Sequence, residues 1–285
     1  ILYNMLWAEP YGFMSVKNDV VFLASDNDIF MENRLGIFRE KGIVTANERS
    51  GLSNDKDCEQ RQRLRIDEKS FIYSGSGDYL GHKVVAYYKK DKDGEESSHE
   101  IIHLEDKSEI VEIESAKLMD YKNYSYTHES PEGNMVKSYI SPGFNLIYNG
   151  KAYLAYTDLD LMPEAGKLVL IDNDGDGIYD VVNATHYEYM RIDRINTAFL
   201  ELYGRNGADS ISLEGEDGKV IYSVYKCAKD VISGAHFSDI TDEDMIAYAK
   251  SIDGLYIVLY ILDSIGGEVT AKGINEIRIN DLDYS

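Results

Sequence analysis

The run Asp172-Asn173-Asp174-Gly175-Asp176-Gly177-Ile178-Tyr179-Asp180 carries carboxylates at its first, third, fifth and ninth positions and glycine at its sixth. That is the ligand spacing of a calcium loop. Alternate residues of a tight loop point inward, so Asp172, Asp174, Asp176 and Asp180 can surround one hard cation. The backbone carbonyl of Ile178 can add a further oxygen, and Gly177 permits the sharp turn. The twelfth position is Asn183 rather than the bidentate Glu of an EF-hand. The expected cofactor is therefore a structural Ca2+ in a loop between strands. Without a metal, the same residues make a solvated acidic turn.

A second pattern, His99-Glu100-Ile101-Ile102-His103, is HExxH. On a helix the two histidines share a face and can hold zinc, with Glu100 as general base. On a strand they stand ~13 Å apart at ~3.3 Å per residue, too far to share one ion at ~2.0–2.1 Å per nitrogen. The motif follows the turn-like Lys90 to Gly94 and precedes Glu109-Ile110-Val111-Glu112-Ile113-Glu114, which alternates at period two. A strand is expected, although Ser98 could cap a helix. Other patterns are weaker. Gly75, Gly77 and Gly81 give GxGxxxG without a surrounding βαβ unit. There is no GxSxG elbow, P-loop or CxxC, and His82, His128, His186 and His236 are isolated. Cys58 and Cys227 are far apart with no metal-type spacing.

The elements that must position these residues read as strands. Phe144 to Tyr148 runs into Asn149-Gly150 and leaves through Lys151 to Tyr156. Asp93-Gly94, Asp217-Gly218 and Asp253-Gly254 punctuate further Tyr- and Val-rich runs. Such dipeptides supply the positive φ angles of tight hairpins. Short helices are expected only at 1–14, Ser115 to Tyr121 and Ser238 to Ile246. A repeat is also visible. Gly42-Ile43-Val44-Thr45-Ala46 with Leu64-Arg65-Ile66-Asp67 matches Gly267-Glu268-Val269-Thr270-Ala271 with Ile277-Arg278-Ile279-Asn280. Val84-Val85-Ala86-Tyr87 likewise echoes Met245-Ile246-Ala247-Tyr248. Pro131, Gly133, Pro142 and Gly143 cluster at an expected boundary near Met135 to Ser141. The expectation is all-β: tandem small barrel or sandwich modules at 1–137 and 138–262, the second with the Asp-rich loop, and the truncated start of another at 263–285.

Composition narrows the function. Lys+Arg 29 against Asp+Glu 51 gives a net charge of −22, which disfavours nucleic acid and anionic membranes, since both need clustered basic residues. No apolar run reaches the ~20 residues of a membrane span. With 44% hydrophobic residues the chain can build real cores, and two cysteines are too few for a disulfide scaffold. The chain starts at Ile1 without a signal peptide and reads as a segment of something longer.

Two blocks carry a family resemblance. Lys41 to Glu48 with Gly51-Leu52, and Leu80 to Lys90, resemble a β module of bacterial, Firmicutes-type surface proteins that carry S-layer homology domains. Gly166 to Val182, followed by His186-Tyr187-Glu188-Tyr189, resembles the companion segment. The resemblance spans roughly residues 20–280 in order. It implies secretion, attachment to the wall or S-layer through domains outside this chain, and a structural or adhesive role without catalytic residues. Met245-Ile246-Ala247-Tyr248 departs from the usual strand start, and no S-layer homology domain lies in the segment.

The expected protein is thus a non-catalytic segment of an S-layer-associated or appendage protein, extracellular, on the cell surface or wall, with a calcium loop. Its expected partners are neighbouring modules or subunits and cell-wall or host glycans, without membrane insertion. The competing readings are a zinc-dependent hydrolase built on His99, Glu100 and His103, and a carbohydrate-binding module using exposed tyrosines.

Overall fold

Strand makes up 59% and helix 6% of the computed structural model, with no helix of 7 or more residues among the described residues, so the protein is all-β. Residues 14–17, 20–23, 32, 35–54, 56–75, 78–90, 99–205, 209–214, 220–228, 231–263, 269–273, 277–279 and 282–284 are described. Among them no helix is long and apolar enough to cross a membrane. The chain divides into two compact units, Ile1–Thr185 and His186–Ser285.

The first unit opens with the hairpin β1 (Met14–Lys17) and β2 (Val20–Leu23). A closed barrel follows: β3 (Ile37–Ala46), β4 (Arg63–Ile66), β5 (Lys69–Ile72), β6 (Lys83–Lys89) and β7 (Glu100–Asp106), in the order β3-β4-β5-β7-β6. Residues 42–46 and 84–88 are strands of one barrel, as expected; 84–88 lies opposite 38–42, with Gly42 facing Val84, while Val44 and Ala46 pair with β4. Alternation explains the closure. Val44, Leu64, Ile66, Phe71, Val84, Ala86, Tyr88 and Ile101 fill the interior, while Arg63 and Arg65 face outward beside Glu59. Each large interior side chain contributes about 1.5–3 kcal/mol by leaving water.

The barrel feeds a sheet in the order β8-β13-β14-β11-β10-β9. Its strands are β8 (Glu109–Glu114), β9 (Leu118–Tyr121), β10 (Ser125–Glu129), β11 (Met135–Tyr148), β13 (Gly166–Asp172) and β14 (Ile178–His186), with β12 (Lys151–Ala152) paired to β11. The β11–β12 turn has positive φ at both Asn149 (46°) and Gly150 (82°), as a two-residue hairpin of this kind requires. β11 and β14 run parallel, with a register shift between Ile140 and Asn145. The boundary expected near residue 137 therefore falls inside β11. Pro142 and Gly143 mark an irregularity within a continuing strand, and the division between units lies after Thr185. Leu52 and Leu80 join Ile147, Ile171 and Val181 in a small core between barrel and sheet.

The second unit holds β15 (Glu188–Asn196), β16 (Glu201–Gly204), β17 (Ser210–Ser212), β18 (Ile221–Ala228), β19 (Val231–Ala235), β20 (Met245–Lys250) and β21 (Tyr256–Ile261), ordered β17-β16-β15-β20-β21-β18-β19. Its wiring repeats that of the first sheet. The neighbours β8-β13-β14-β11 correspond to β15-β20-β21-β18, and the last pair is parallel in both. A short 3-10 turn precedes the second strand of each set, Asp158–Leu161 and Phe237–Asp239. Each is closed the same way: Thr157 N donates to Asp160 Oδ2 (2.7 Å) and His236 N to Asp239 Oδ2 (2.8 Å). The chain ends in a separate three-stranded sheet, β22 (Val269–Lys272), β23 (Ile277–Ile279) and β24 (Leu282–Tyr284).

The helices expected at 115–121 and 238–246 shrink to 3-10 turns, Ser115–Lys117 and Phe237–Asp239, followed by β9 and β20. Segments this short cannot offset the cost of nucleating an α-helix. Residues 1–13 of the helix expected at 1–14, the turns Asp93-Gly94 and Asp217-Gly218, and Gly77, Ser98, Gly267 and Glu268 lie outside the described residues, and Met14 opens β1. The echo of Val84–Tyr87 in Met245–Tyr248 joins strands of different kinds. β6 is a barrel strand between β3 and β7, whereas β20 lies between β15 and β21. Both strands carry buried apolar residues, Val84, Val85 and Ala86 in one and Ile246 and Ala247 in the other.

Tyr126, in β10, is fully buried against Tyr121, with ring centroids 4.8 Å apart. Its hydroxyl has no hydrogen-bond partner among the described residues. A buried orphan hydroxyl costs about 1–3 kcal/mol. Tyr126→Phe is therefore expected to stabilise the first unit by about 1 kcal/mol. Urea melts would show a higher midpoint at unchanged slope, and a lower midpoint would refute the expectation.

Candidate metal centre

The Asp-rich loop occupies residues 173–177 between β13 and β14. β13 is buried on both sides. Leu168 and Leu170 enter the sheet core, and Ile171 enters the barrel–sheet core. Asp172, the last residue of β13, is consequently buried at 2% exposure, while Asp174 and Asp176 are exposed. One potential ligand atom from each of these three carboxylates lies within 4.8 Å of the others. Two oxygens bound to one calcium at ~2.3–2.6 Å can be at most about 5 Å apart, and each pair of the three meets that limit.

Hydrogen bonds shape the loop. Asp172 Oδ1 accepts from Asp174 N (3.0 Å) and Gly175 N (2.7 Å), and Oδ2 accepts from Gly177 N (2.8 Å). Asp174 Oδ1 accepts from Asp176 N, and Asp176 Oδ1 from Ile178 N. Gly175 and Gly177 have φ of +82° and +83° with open space where a Cβ would stand. Their role is conformational rather than steric. Of the ligands expected from the sequence, Asp180 stands apart from the cluster. Its Oδ2 accepts from Asn173 N at 3.0 Å and closes the loop from the other strand. Ile178 begins β14 opposite Tyr139 of β11.

The charges divide in two. Burial alone would raise the Asp172 carboxyl, but the backbone donors of Gly175, Gly177 and Asp174 outweigh it and hold it below the usual 3.8. Asp174 accepts a lowering bond from Asp176 N, yet partial desolvation and the negative charges of Asp176, Asp180 and Asp172 lift it above 3.8. The sign follows from linkage. Asp172 stabilises the fold above its ordinary pKa, and that contribution is lost as pH falls through its lower folded value. Asp174 is stabilising in its protonated form and opposes folding as pH rises through its raised folded value. A cation held there would reverse that penalty and compete with the proton. Calcium affinity is therefore expected to fall as pH drops through the raised Asp174 value, with proton release on binding. Calorimetry in buffers of different ionisation enthalpy, at acidic pH where Asp174 is partly protonated, would detect the released proton, and its absence there would refute the expectation.

Asn173, which carries no signal in the sequence, proves central. It is 7% exposed. Its Nδ2 donates to Gly81 O (2.9 Å), while its Oδ1 accepts from Lys83 N (2.9 Å) and Ser108 Oγ (3.3 Å). Its own carbonyl accepts from Lys83 Nζ at 2.6 Å. The loop is thus pinned to the rim of the barrel. An asparagine within an acidic run reads as one more turn residue, so only the tertiary structure shows this role.

The HExxH residues fall on a strand end and a strand. His99 is buried and stacks on Tyr88, centroids 5.0 Å apart at 28°. His103 lies in β7 against Tyr87, at 5.8 Å. The β6–β7 register jumps from Tyr87↔His103 to Tyr88↔Ile101, so Ile102 is a bulge residue. That extra residue breaks the two-residue period. His99 joins the interior aromatics, and His103 lies on the outer face. One zinc at ~2.0–2.1 Å from each nitrogen cannot bridge them in this arrangement. Elsewhere His82 Nδ1 pairs with Asp106 Oδ2 (2.7 Å) and His128 Nε2 with Ser138 Oγ (2.9 Å). Cys58 and Cys227 are free thiols. Exposed Tyr124, Tyr139, Tyr189 and Tyr222 are spread over a turn, β11, β15 and β18 rather than one strand.

No family model matches the chain, and no curated protein matches it. Among solved structures, one similar chain is a multidomain protein with nucleic acid binding domains from Streptococcus pneumoniae. It is 7% identical with a TM-score of 0.16, over 81% of this chain and 75% of that one.

Proposed function

We propose that this chain is a non-catalytic structural or adhesive segment of a bacterial cell-surface assembly, working outside the cell, in which calcium braces the joint between modules. The observation that supports the reading is the pairing of two features in one loop. Asp172, Asp174 and Asp176 converge closely enough for one cation, and Asn173 between them fastens the loop to the barrel rim. A cation there would relieve the repulsion among the carboxylates and stiffen the turn that joins barrel to sheet. The wiring shared by the two sheets suits a protein built by repeating modules. The net charge of −22 would keep such an array soluble and suit weak binding of abundant extracellular calcium. The S-layer-type resemblance of the sequence points the same way, with neighbouring modules or subunits as partners and cell-wall or host glycans as further ones.

The test is titration calorimetry with thermal melts. The expected affinity is on the order of 10⁻⁴–10⁻³ M, the extracellular class. At roughly 10 mM calcium this stabilises the folded state by about 1.4–2.7 kcal/mol. Asp174→Ala should abolish the calcium-dependent rise, whereas Asp253→Ala, in the β20–β21 turn, should keep it. No binding and no stabilisation of the unsubstituted chain at millimolar calcium would leave only an acidic turn.

A further inference from the structure

Four tyrosines and one aspartate gather around the β9–β10 hairpin of the first unit. Tyr121 closes β9, Tyr126 sits opposite it in β10, and Tyr124 belongs to the turn between them. Tyr156 and Asp158 come from the segment that follows β12. Tyr121 and Tyr156 pack on the core that contains Tyr126 and Phe144. Ring centroids are 4.8 Å apart for Tyr121 and Tyr126 and 5.3 Å apart for Phe144 and Tyr156. Exposure falls in steps from rim to floor. Asp158 is exposed and Tyr124 is 45% exposed, Tyr121 and Tyr156 are half-buried, and Tyr126 is fully buried. The 3-10 turn that carries Asp158 is closed by the Asp160 carboxylate, which accepts from Thr157 N and Oγ1, so Asp158 is not the residue that caps it.

The oxygens of the cluster feel one another. Burial is the main cause that raises the three inner phenols, taking Tyr121 to about 12 and Tyr126 and Tyr156 above their ordinary 10. The negative charge of Asp158 raises each of the three further, Tyr156 acts on Tyr121 and Tyr126, and Tyr124 acts on Tyr121 and Tyr156. Two features here are locally unfavourable. The buried Tyr126 hydroxyl has no hydrogen-bond partner among the described residues. Tyr124 has φ of +56° after Asn123 at +51°, where the β11–β12 turn places Gly150. A bulky side chain in left-handed backbone is strained. Costs of this kind concentrate at ligand sites, and these two lie within three residues of chain.

We propose that this cluster binds a primary ammonium group carried on an alkyl stem. Asp158 supplies the countercharge, the rings of Tyr121, Tyr124 and Tyr156 enclose the cation and its stem, and the Tyr126 oxygen accepts one of its N–H bonds. Reaching Tyr126 requires rotation of a half-buried ring, Tyr121 or Tyr156, the kind of side-chain change common on binding. Other ligands fit less well. Calcium takes about 6–8 oxygens, mostly from carboxylates and carbonyls, whereas the cluster offers one carboxylate and neutral phenols. A quaternary ammonium has no N–H for the orphan hydroxyl. A neutral sugar gives the charge of Asp158 no counterpart. Lys122 of the same turn is exposed, and the net charge of −22 raises the local concentration of cations from outside. All these groups lie outside the Asp-rich loop, so the inference holds or fails separately from the calcium reading.

The ammonium comes from a lysyl side chain or from a free amine, and the experiment separates the two. The full chain, with labelled tyrosine rings, is titrated with n-butylammonium chloride and with N-acetyl-lysine methylamide and followed by NMR. The ring signals of Tyr121, Tyr126 and Tyr156 are expected to shift saturably, with a Kd on the order of 10⁻³ M. Asp158→Asn and Tyr126→Phe should each weaken binding by about 10-fold or more, although Tyr126→Phe is the more stable protein. Asp120→Asn, at an exposed position of β9, should leave binding unchanged. Equal affinity for the two probes would support ammonium and stem as the whole ligand, and tighter binding of the lysine derivative would assign it to a peptide. Absence of saturable shifts at about 100 mM of either probe would overturn the proposal. So would binding that both substitutions leave intact, or tetramethylammonium binding as tightly as n-butylammonium. Saturation of the same signals by glucose at equal concentration would assign the cluster to a sugar and would also overturn it.

Discussion

Gly81→Ala is expected to destabilise the first unit by about 2–5 kcal/mol, from roughly 1–2 for left-handed backbone and 1–3 for overpacking. Gly81 sits at φ +82°, and an added Cβ would stand 3.0 and 3.3 Å from the two methyls of Val181 and 3.4 Å from Ile147 Cδ1. Neither neighbour is a free side-chain end, because both belong to the core between barrel and sheet. The residue also holds two hydrogen bonds across this region. Its N–H donates to Val44 O at 2.9 Å, and its carbonyl accepts from Asn173 Nδ2 at 2.9 Å. Gly133→Ala is the matched control. It has φ of +83° but open space around the added carbon, so only the roughly 1–2 kcal/mol backbone cost applies. Urea unfolding of both variants separates the contributions. Equal losses would show that packing at the joint contributes nothing.

Asn173→Ala is expected to cost about 2–4 kcal/mol, even without calcium, by leaving buried polar groups without partners. The substitution removes the donor to Gly81 O and the acceptor for Lys83 N and Ser108 Oγ. Lys83 N keeps a second acceptor in Ser108 Oγ at 2.8 Å, so the loss falls chiefly on the Gly81 carbonyl and the Ser108 hydroxyl. Asn173→Asp should recover part of the loss, because it restores the acceptor but not the donor. Amide exchange at residues 81–83 and 172–177 should quicken together in Asn173→Ala, since the side chain ties the two segments. Quickening confined to 172–177 would argue that the loop is merely local.

Short-range requirements were legible in the residues. Asn149-Gly150 announced a hairpin because both positions need positive φ, and β13 and β14 were bracketed by the Asp-rich loop. The placing of 42–46 and 84–88 as strands of one barrel followed from alternation, and the strand reading of the His99 to His103 motif from its flanks. Long-range choices were not legible. The parallel meeting of β11 with β14 leaves no local mark, and Pro142-Gly143 looked like the end of a module while lying within a strand. The bulge at Ile102 depends on how β7 pairs with β6, so the opposite placement of His99 and His103 was hidden. In the loop, ligand-type spacing picked out Asp172, Asp174 and Asp176, which the structure brings close together. It could not show that Asp180 turns to Asn173 N, nor that Asn173 reaches the barrel.

The parallel pairs that complete both sheets also carry a kinetic consequence. Antiparallel neighbours such as β20 and β21 meet across a short turn and can form early. Tyr139 must find Ile178, and Ile221 must find Tyr256, only after the intervening strands are in place. Loop-closure entropy is spent before those contacts return anything, which makes such closures slow. Each sheet therefore passes through a stage in which hairpins exist but one seam is open. Truncating Leu146 or Leu259 at those seams should hasten unfolding far more than it slows folding, and stopped-flow chevrons would show the opposite if the seams formed first.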